Sequence, residues 1–179
     1  LCSYGLTSRS LGFDEAASVT IAAQHGSALG AAFAHDGGNM SGYYLLLHML
    51  TGLFGNGLLV VRLPSVLCAA ATAGVVARLA RTLFDSRVGL ISGSLVAVSL
   101  PLVFWGQSAR GYAPMVALTA TSYLAFVSLV RRREQERPAL GPAMVYALAT
   151  SLAVYASFVA VLVIPAQLLM LLHRRRARA

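Results

Sequence analysis

Residues 58–80 read LLVVRLPSVLCAAATAGVVARLA, and this stretch sets the fold class of the 179-residue chain. An apolar run of this length fits the roughly 17–25 residues that a helix needs to cross a bilayer. The whole chain has the same character, with 58% hydrophobic and 11% charged residues and a mean hydropathy of +0.72. A soluble domain of this size does not need so much apolar surface. The sequence therefore predicts an all-α membrane protein that crosses the bilayer several times.

Five spans of this kind are predicted, at about 58–80, 88–104, 113–130, 141–155 and 158–172. The stretch 139–172 has two interpretations, as one long helix or as two short spans that turn near residues 155–157. A single helix would be about 50 Å long at 1.5 Å per residue, whereas the hydrocarbon core is roughly 30 Å thick.

The arginines decide between these two interpretations. All fourteen basic residues are arginine, and they cluster at the ends of apolar runs. With two short spans, eleven arginines lie on one side of the membrane and three on the other, whereas a single span gives seven on each side. The positive-inside rule favours the hairpin. Its outer side then holds three arginines and three acids: Arg9, Arg62, Arg110, Asp14, Glu15 and Asp36. This pattern indicates topology, so we expect no nucleic-acid partner.

The chain divides into residues 1–57 and residues 58–179. We expect the first part to hold the end of a lost first span and an outer loop with surface helices, because the chain begins with Leu rather than Met. The second part is the helix bundle, and we expect the chain to be a fragment of a longer protein. In the outer loop the pattern predicts surface helices at 14–24 and 43–54, a loop at 34–42 and a turn at 55–57.

Two adjacent carboxylates, Asp14 and Glu15, stand out because the chain has only six acidic residues. An ionisable pair kept near a bilayer suggests a function, since charge there is costly. The alternatives are a solvated loop or the first turn of a helix, where negative charge is favourable. Tyr44 and His48 lie on a polar stripe of the second surface helix, which faces either a cavity or the membrane interface.

Arg62 and Arg110 break the positive-inside bias, and two explanations stay open. They either pair with Asp14, Glu15 or Asp36, or bind an anion such as a lipid phosphate through bidentate hydrogen bonds.

Several motifs follow one another in a fixed order and spacing over roughly residues 8–172: Ser10-Leu11-Gly12-Phe13-Asp14-Glu15-Ala16, Asp36, Tyr43-Tyr44-Leu45-Leu46-Leu47-His48, Leu53-Phe54-Gly55, Arg62-Leu63-Pro64-Ser65 and Gly106-Gln107-Ser108-Ala109-Arg110-Gly111-Tyr112. Together they resemble the N-terminal half of GT-C glycosyltransferases. The chain is most similar to bacterial relatives of the dolichyl-phosphate-mannose protein mannosyltransferases and to the lipid A aminoarabinose transferases.

The resemblance implies an inverting transferase in the bacterial plasma membrane, with its catalytic loop on the outer face. The donor would be a polyprenyl-phosphate sugar and the acceptor a protein, lipid or glycan. Asp14 would be the general base, with Glu15 as its orienting or structural neighbour. Adjacent helical residues point about 100° apart, so only one of the two can face a given substrate. The expected substrate-binding residues are Asp36, Tyr44, His48, Arg62, Gln107, Arg110 and Tyr112.

Some positions depart from the family pattern. Ser108 stands where the family often has Glu, and Ala156-Ser157 where it often has Thr-His. No zinc-ligand spacing occurs, so we expect no cofactor, although a divalent metal stays open. A non-enzymatic protein that binds or transports polyprenyl lipid is the alternative function, but the acids lie at the membrane face rather than at mid-membrane, as a transporter requires.

Overall fold

The structure is a computed structural model that describes Leu6 and residues 10–176, with side chains to residue 173. Arg9 and most of the predicted end of a first span lie outside the described residues. The described part contains helices and no strand. The helices are α1 (Phe13–Ala22), α2 (Ser27–His35), α3 (Ser41–Phe54), α4 (Leu58–Leu83), α5 (Ser86–Ala97), α6 (Leu100–Gly106), α7 (Tyr112–Glu134), α8 (Leu140–Ala156), a 3₁₀ turn (Phe158–Leu162) and α9 (Val163–Arg176).

The segment before α4 holds three short helices, where the sequence predicted two. α1 and α3 lie close to the predicted bounds, and α3 ends at Phe54, directly before the predicted turn at 55–57. α2 was not predicted. Its alanines favour a helix, but none of its residues is buried. Consequently it has no periodic apolar face that a sequence pattern could reveal.

In the described part of the chain two helices, α4 and α7, are long and apolar enough to cross a membrane. The predicted span 88–104 is broken into α5 and α6, which meet at an angle of 56° and make a third crossing if they act as one span. The break precedes Pro101, which has no N–H to continue the helix. α8 and the segment Phe158–His173 are shorter apolar helices. The number of five spans therefore stays a prediction.

The stretch 139–172 is not one helix, because the chain leaves α8 at Ser157 in extended backbone. A buried polar network joins α7, α8 and α9. The Ser122 hydroxyl lies 2.7 Å from that of Thr150 and accepts a 3.1 Å hydrogen bond from Gln167, and Tyr146 donates to Gln167 at 2.9 Å. Such bonds stabilise helix association where water is scarce.

A compact apolar cluster lies where α3 meets α4 and the turn before α7. Its buried members include Met40, Tyr43, Leu47, Val61 and Ala109. α7 begins beside the end of α8, since a side chain at Gly111 would collide with the Ala156 carbonyl. The segment with α1 to α3, the 107–111 turn and the 156–157 break thus meet at one end of the bundle, which we call the Glu15 end.

Candidate active site

Glu15 is the central acid of the Glu15 end. It lies in the first turn of α1 and forms a bidentate ion pair with Arg62 of α4, at 2.9 Å to Nε and 2.7 Å to Nη2. Its carboxylate also accepts hydrogen bonds from the backbone N–H of Gly12, at 3.0 Å, and of Ala109, at 2.8 Å. One carboxylate therefore joins the surface helix, the start of a membrane helix and the turn before α7.

These four hydrogen bonds determine the protonation of Glu15. Burial alone would raise its pKa, but the hydrogen bonds from Arg62, Gly12 and Ala109 outweigh burial and lower the pKa below the usual 4.5. Each carboxylate oxygen already accepts two hydrogen bonds. Glu15 is thus a weak base whose lone pairs are occupied, a geometry that suits a positioning role.

Asp14 has the opposite surroundings, although it is the next residue. It is exposed, whereas the Glu15 side chain is only 9% exposed. Among the described residues no donor bonds to the Asp14 carboxylate, and Arg110 reaches only its backbone carbonyl, at 3.4 Å. The two acids point in different directions from α1, as adjacent helical residues must. Of the two, Asp14 is the one that a substrate can reach.

Arg62 and Arg110 also differ in burial and in ion pairing. The Arg62 guanidinium is buried and also donates to the carbonyls of Leu6 and Ser10. Arg110 is half-buried, lies over the Tyr112 ring at 5.6 Å from its centre and forms no ion pair with any described acid. Its buried Nε has no hydrogen-bond acceptor in the described part of the chain. Pairing with an acid explains Arg62, while Arg110 has the donors to bind an anion.

Tyr44 and Asp36 form a second polar pair near this site. The buried Tyr44 hydroxyl donates a 2.8 Å hydrogen bond to the exposed Asp36 carboxylate, and the Tyr44 ring stacks on Phe33. Burial, followed by the hydrogen bond to Asp36, raises the pKa of Tyr44 to about 12. Tyr44 therefore stays neutral and acts as a donor at physiological pH.

His48 contacts the C-terminal end of α1. Its Nδ1 is 2.7 Å from the Ala22 carbonyl at the end of α1, and its ring meets that of His25 edge-on at 5.1 Å. Gln107 is half-buried at the end of α6. Direct contacts of His48, Gln107 and Arg62 with a substrate stay predictions.

Sequence reasoning missed two contributors to this site, the Ala109 N–H and the Ser65 hydroxyl. The Ala109 N–H binds Glu15, but any residue except proline offers such a group, so the sequence holds no signal for it. The Ser65 hydroxyl donates to the Arg110 carbonyl at 3.3 Å and lies 3.3 Å from the buried Tyr43 hydroxyl. Ser65 belongs to the Arg-Leu-Pro-Ser motif, and its spacing of three from Arg62 on one helix face was the available signal.

The match to a known family decides which class of protein this geometry serves. Residues 41–179 match the model of the family described as dolichyl-phosphate-mannose-protein mannosyltransferase. The chain belongs to this mannosyltransferase family. The expected resemblance to GT-C enzymes is thereby confirmed, and the chain is identified as a membrane glycosyltransferase.

The match to the mannosyltransferase family begins after the first surface helices. Asp14, Glu15 and Asp36 precede residue 41, so their roles stay predictions. No curated protein and no solved structure matches the chain. Among the described residues, no three or more His, Cys, Asp or Glu are grouped to hold a metal ion.

Proposed function

We propose that this chain forms the catalytic end of an inverting glycosyltransferase that moves a sugar from a polyprenyl-phosphate donor to a hydroxyl acceptor. The reaction would take place on the outer face of the bacterial plasma membrane, where the positive-inside rule puts the Glu15 end. One observation supports this proposal most strongly. The Glu15 carboxylate accepts four hydrogen bonds, whereas the carboxylate of the adjacent Asp14 is exposed and accepts none from the described residues.

Asp14 acts as the general base in this proposal. Its carboxylate takes the proton from the acceptor hydroxyl as that oxygen attacks the anomeric carbon. The bond between this carbon and the phosphate oxygen breaks at the same time, and polyprenyl phosphate leaves with the electron pair. The phosphate is already a good leaving group, so no acid is needed. A positioned base contributes typically about 10²–10⁴-fold to the rate, and attack opposite the leaving group inverts the anomeric centre.

Arg110 supplies the complementary charge. Its half-buried guanidinium lies beside the Asp14 backbone and pairs with no described acid, so its N–H groups can donate to the departing phosphate. A fixed cation at the place where negative charge grows stabilises the transition state. Glu15 and Arg62 hold α1 on the bundle, so that Asp14 and Arg110 keep their spacing.

The proposal is tested by sugar transfer in membranes that hold the full-length protein, with a panel of polyprenyl-phosphate sugars as donors. We expect Asp14→Asn to lower transfer by about 10²–10⁴-fold while binding of polyprenyl phosphate is retained. Arg110→Gln should instead weaken donor binding. Glu136→Gln is the matched control. It removes one exposed negative charge just beyond the C-terminal end of α7, at the end of the bundle away from Asp14, and should leave transfer unchanged.

Two outcomes would contradict the proposal. Undiminished transfer by Asp14→Asn would exclude Asp14 as the base and turn attention to Asp36. A wild-type protein that binds polyprenyl phosphate but transfers no sugar from any donor would favour the non-enzymatic alternative.

A further inference from the structure

An open cavity of about 850 Å³ lies at the other end of the bundle, among α4, α5 and α7. Three arginines, Arg78, Arg81 and Arg131, line it together with Ser86, Gly89 and Leu90. Its volume is within the range of about 300–1,000 Å³ that is typical of ligand pockets. We call it the arginine cavity.

The arginine cavity is separate from the Glu15 site. Arg62 and Arg78 are sixteen residues apart on α4, which corresponds to about 24 Å along a helix that rises 1.5 Å per residue. Arg131 likewise lies in the last turn of α7, whereas Tyr112 begins that helix. The two sites therefore lie near opposite faces of a bilayer.

The charge in the arginine cavity is not neutralised by the described side chains. None of its three arginines forms an ion pair within the described part of the chain. The nearby Asp85 carboxylate already accepts hydrogen bonds from the N–H groups of Arg87 and Val88, as the cap of α5. Three guanidinium groups around one cavity repel each other, and a bound anion with several oxygens would relieve that repulsion.

The backbone holds the cavity walls close together. A side-chain carbon at Gly89 would come within 2.8 Å of the Ala77 carbonyl oxygen and of the Arg81 Cβ. α5 therefore packs directly on α4 at the cavity, and this contact fixes α5 against Arg81.

We propose that the arginine cavity binds the phosphate headgroup of an anionic membrane lipid. Exposed apolar side chains, one on the cavity wall and one in the adjoining turn, favour a lipid over a free anion. Leu90 on the cavity wall is 72% exposed, and Phe84, in the turn between α4 and α5, is 73% exposed. Acyl chains can cover these apolar side chains while the phosphate meets the arginines. Basic pockets between membrane helices commonly bind lipid headgroups in this way.

The test is native mass spectrometry of the full-length protein in detergent with three probes. These are phosphatidylglycerol, phosphatidylcholine with the same acyl chains, and glycerol 3-phosphate. We expect phosphatidylglycerol to bind most tightly, and the double variant Arg78→Gln/Arg81→Gln to weaken it by at least about tenfold, because hydrogen bonds between charged groups are lost. Arg131→Gln, on another helix, should weaken it in the same direction.

The matched control is Arg87→Gln/Arg133→Gln, which removes two arginines from the same end of the bundle but outside the cavity. The control should change binding by less than about twofold, because neither of its arginines lines the cavity. Equal weakening by both double variants would overturn the proposal, since it would indicate general surface charge. Binding of glycerol 3-phosphate as tight as that of phosphatidylglycerol would overturn the assignment to a lipid.

Discussion

Glu15→Gln is the most informative perturbation of the Glu15 end. A glutamine has one oxygen in place of two, so its amide nitrogen would face either Arg62 Nη2 and the Gly12 N–H, or Arg62 Nε and the Ala109 N–H. Two of the four hydrogen bonds are lost, and Arg62 keeps a buried charge without its counter-ion. Hydrogen bonds to charged groups contribute about 1.5–3 kcal/mol each, and breaking a buried pair costs about 3–5 kcal/mol. We expect the free energy of unfolding to fall by about 3–5 kcal/mol.

Thermal unfolding of the purified protein in detergent measures this loss. A change of about 3–5 kcal/mol lowers Tm by about 6–20 °C for a chain of 150–250 residues. The matched control is Asp14→Asn, which should change the free energy of unfolding by less than about 0.5 kcal/mol, because its carboxylate is exposed. A Glu15→Gln protein that melts within about 2 °C of the wild type would refute the reasoning.

The pH dependence gives an independent check of the same pair. The pKa of Glu15 is lower in the folded protein than its ordinary 4.5, so its contribution to stability is fully present above pH 4.5. That contribution is lost as the pH falls through the folded pKa. The difference in Tm between wild type and Glu15→Gln should therefore shrink in acid, and a difference that stays constant down to the acid limit would contradict a titrating carboxylate.

Two further predictions concern other contacts. Tyr44→Phe removes the hydrogen bond to Asp36 and should lower the free energy of unfolding by about 1 kcal/mol. Burial raises the pKa of Tyr44 from its ordinary 10 to about 12. The wild type, but not Tyr44→Phe, should therefore lose the contribution of Tyr44 to the free energy of unfolding as the pH rises from 10 through 12. Chemical denaturation at a series of pH values measures this loss. Gln167→Leu removes the hydrogen bonds to Ser122 and Tyr146 and should lower the free energy of unfolding by about 0.6–1.7 kcal/mol per bond, which a lower Tm would show. The control is Leu168→Ala, on the exposed face of α9. An unchanged Tm in Gln167→Leu would mean that the network adds nothing to helix association.

Hydropathy and arginine placement were sufficient to predict the all-α class and the approximate positions of the helical segments, because both signals are local. They failed at α2, which buries no residue, and at the break between α5 and α6. Pro101 stood in the sequence at that break, but a proline within an apolar run is also compatible with a kinked single span.

The candidate site was predictable in composition but not in connectivity. The sequence singled out Asp14, Glu15, Arg62 and Arg110 and left open whether the arginines pair with acids or bind an anion. The structure pairs Arg62 with Glu15 across 47 positions of the chain. Periodicity reports which residues share a face of one helix, and it holds no information on contacts between distant segments.

The bond between Glu15 and the Ala109 N–H spans 94 positions of the chain, and this separation has a consequence during biosynthesis. At about 5–20 residues per second, the ribosome needs roughly 5–20 s to synthesise the intervening segment. Throughout that interval Glu15 lacks one of its four donors, and α1 lacks its attachment to the turn before α7. The surface helix that holds Asp14 can therefore dock fully only after α4, α5 and α6 have been synthesised. A nascent chain arrested before residue 109 would leave Asp14 on an incompletely anchored helix.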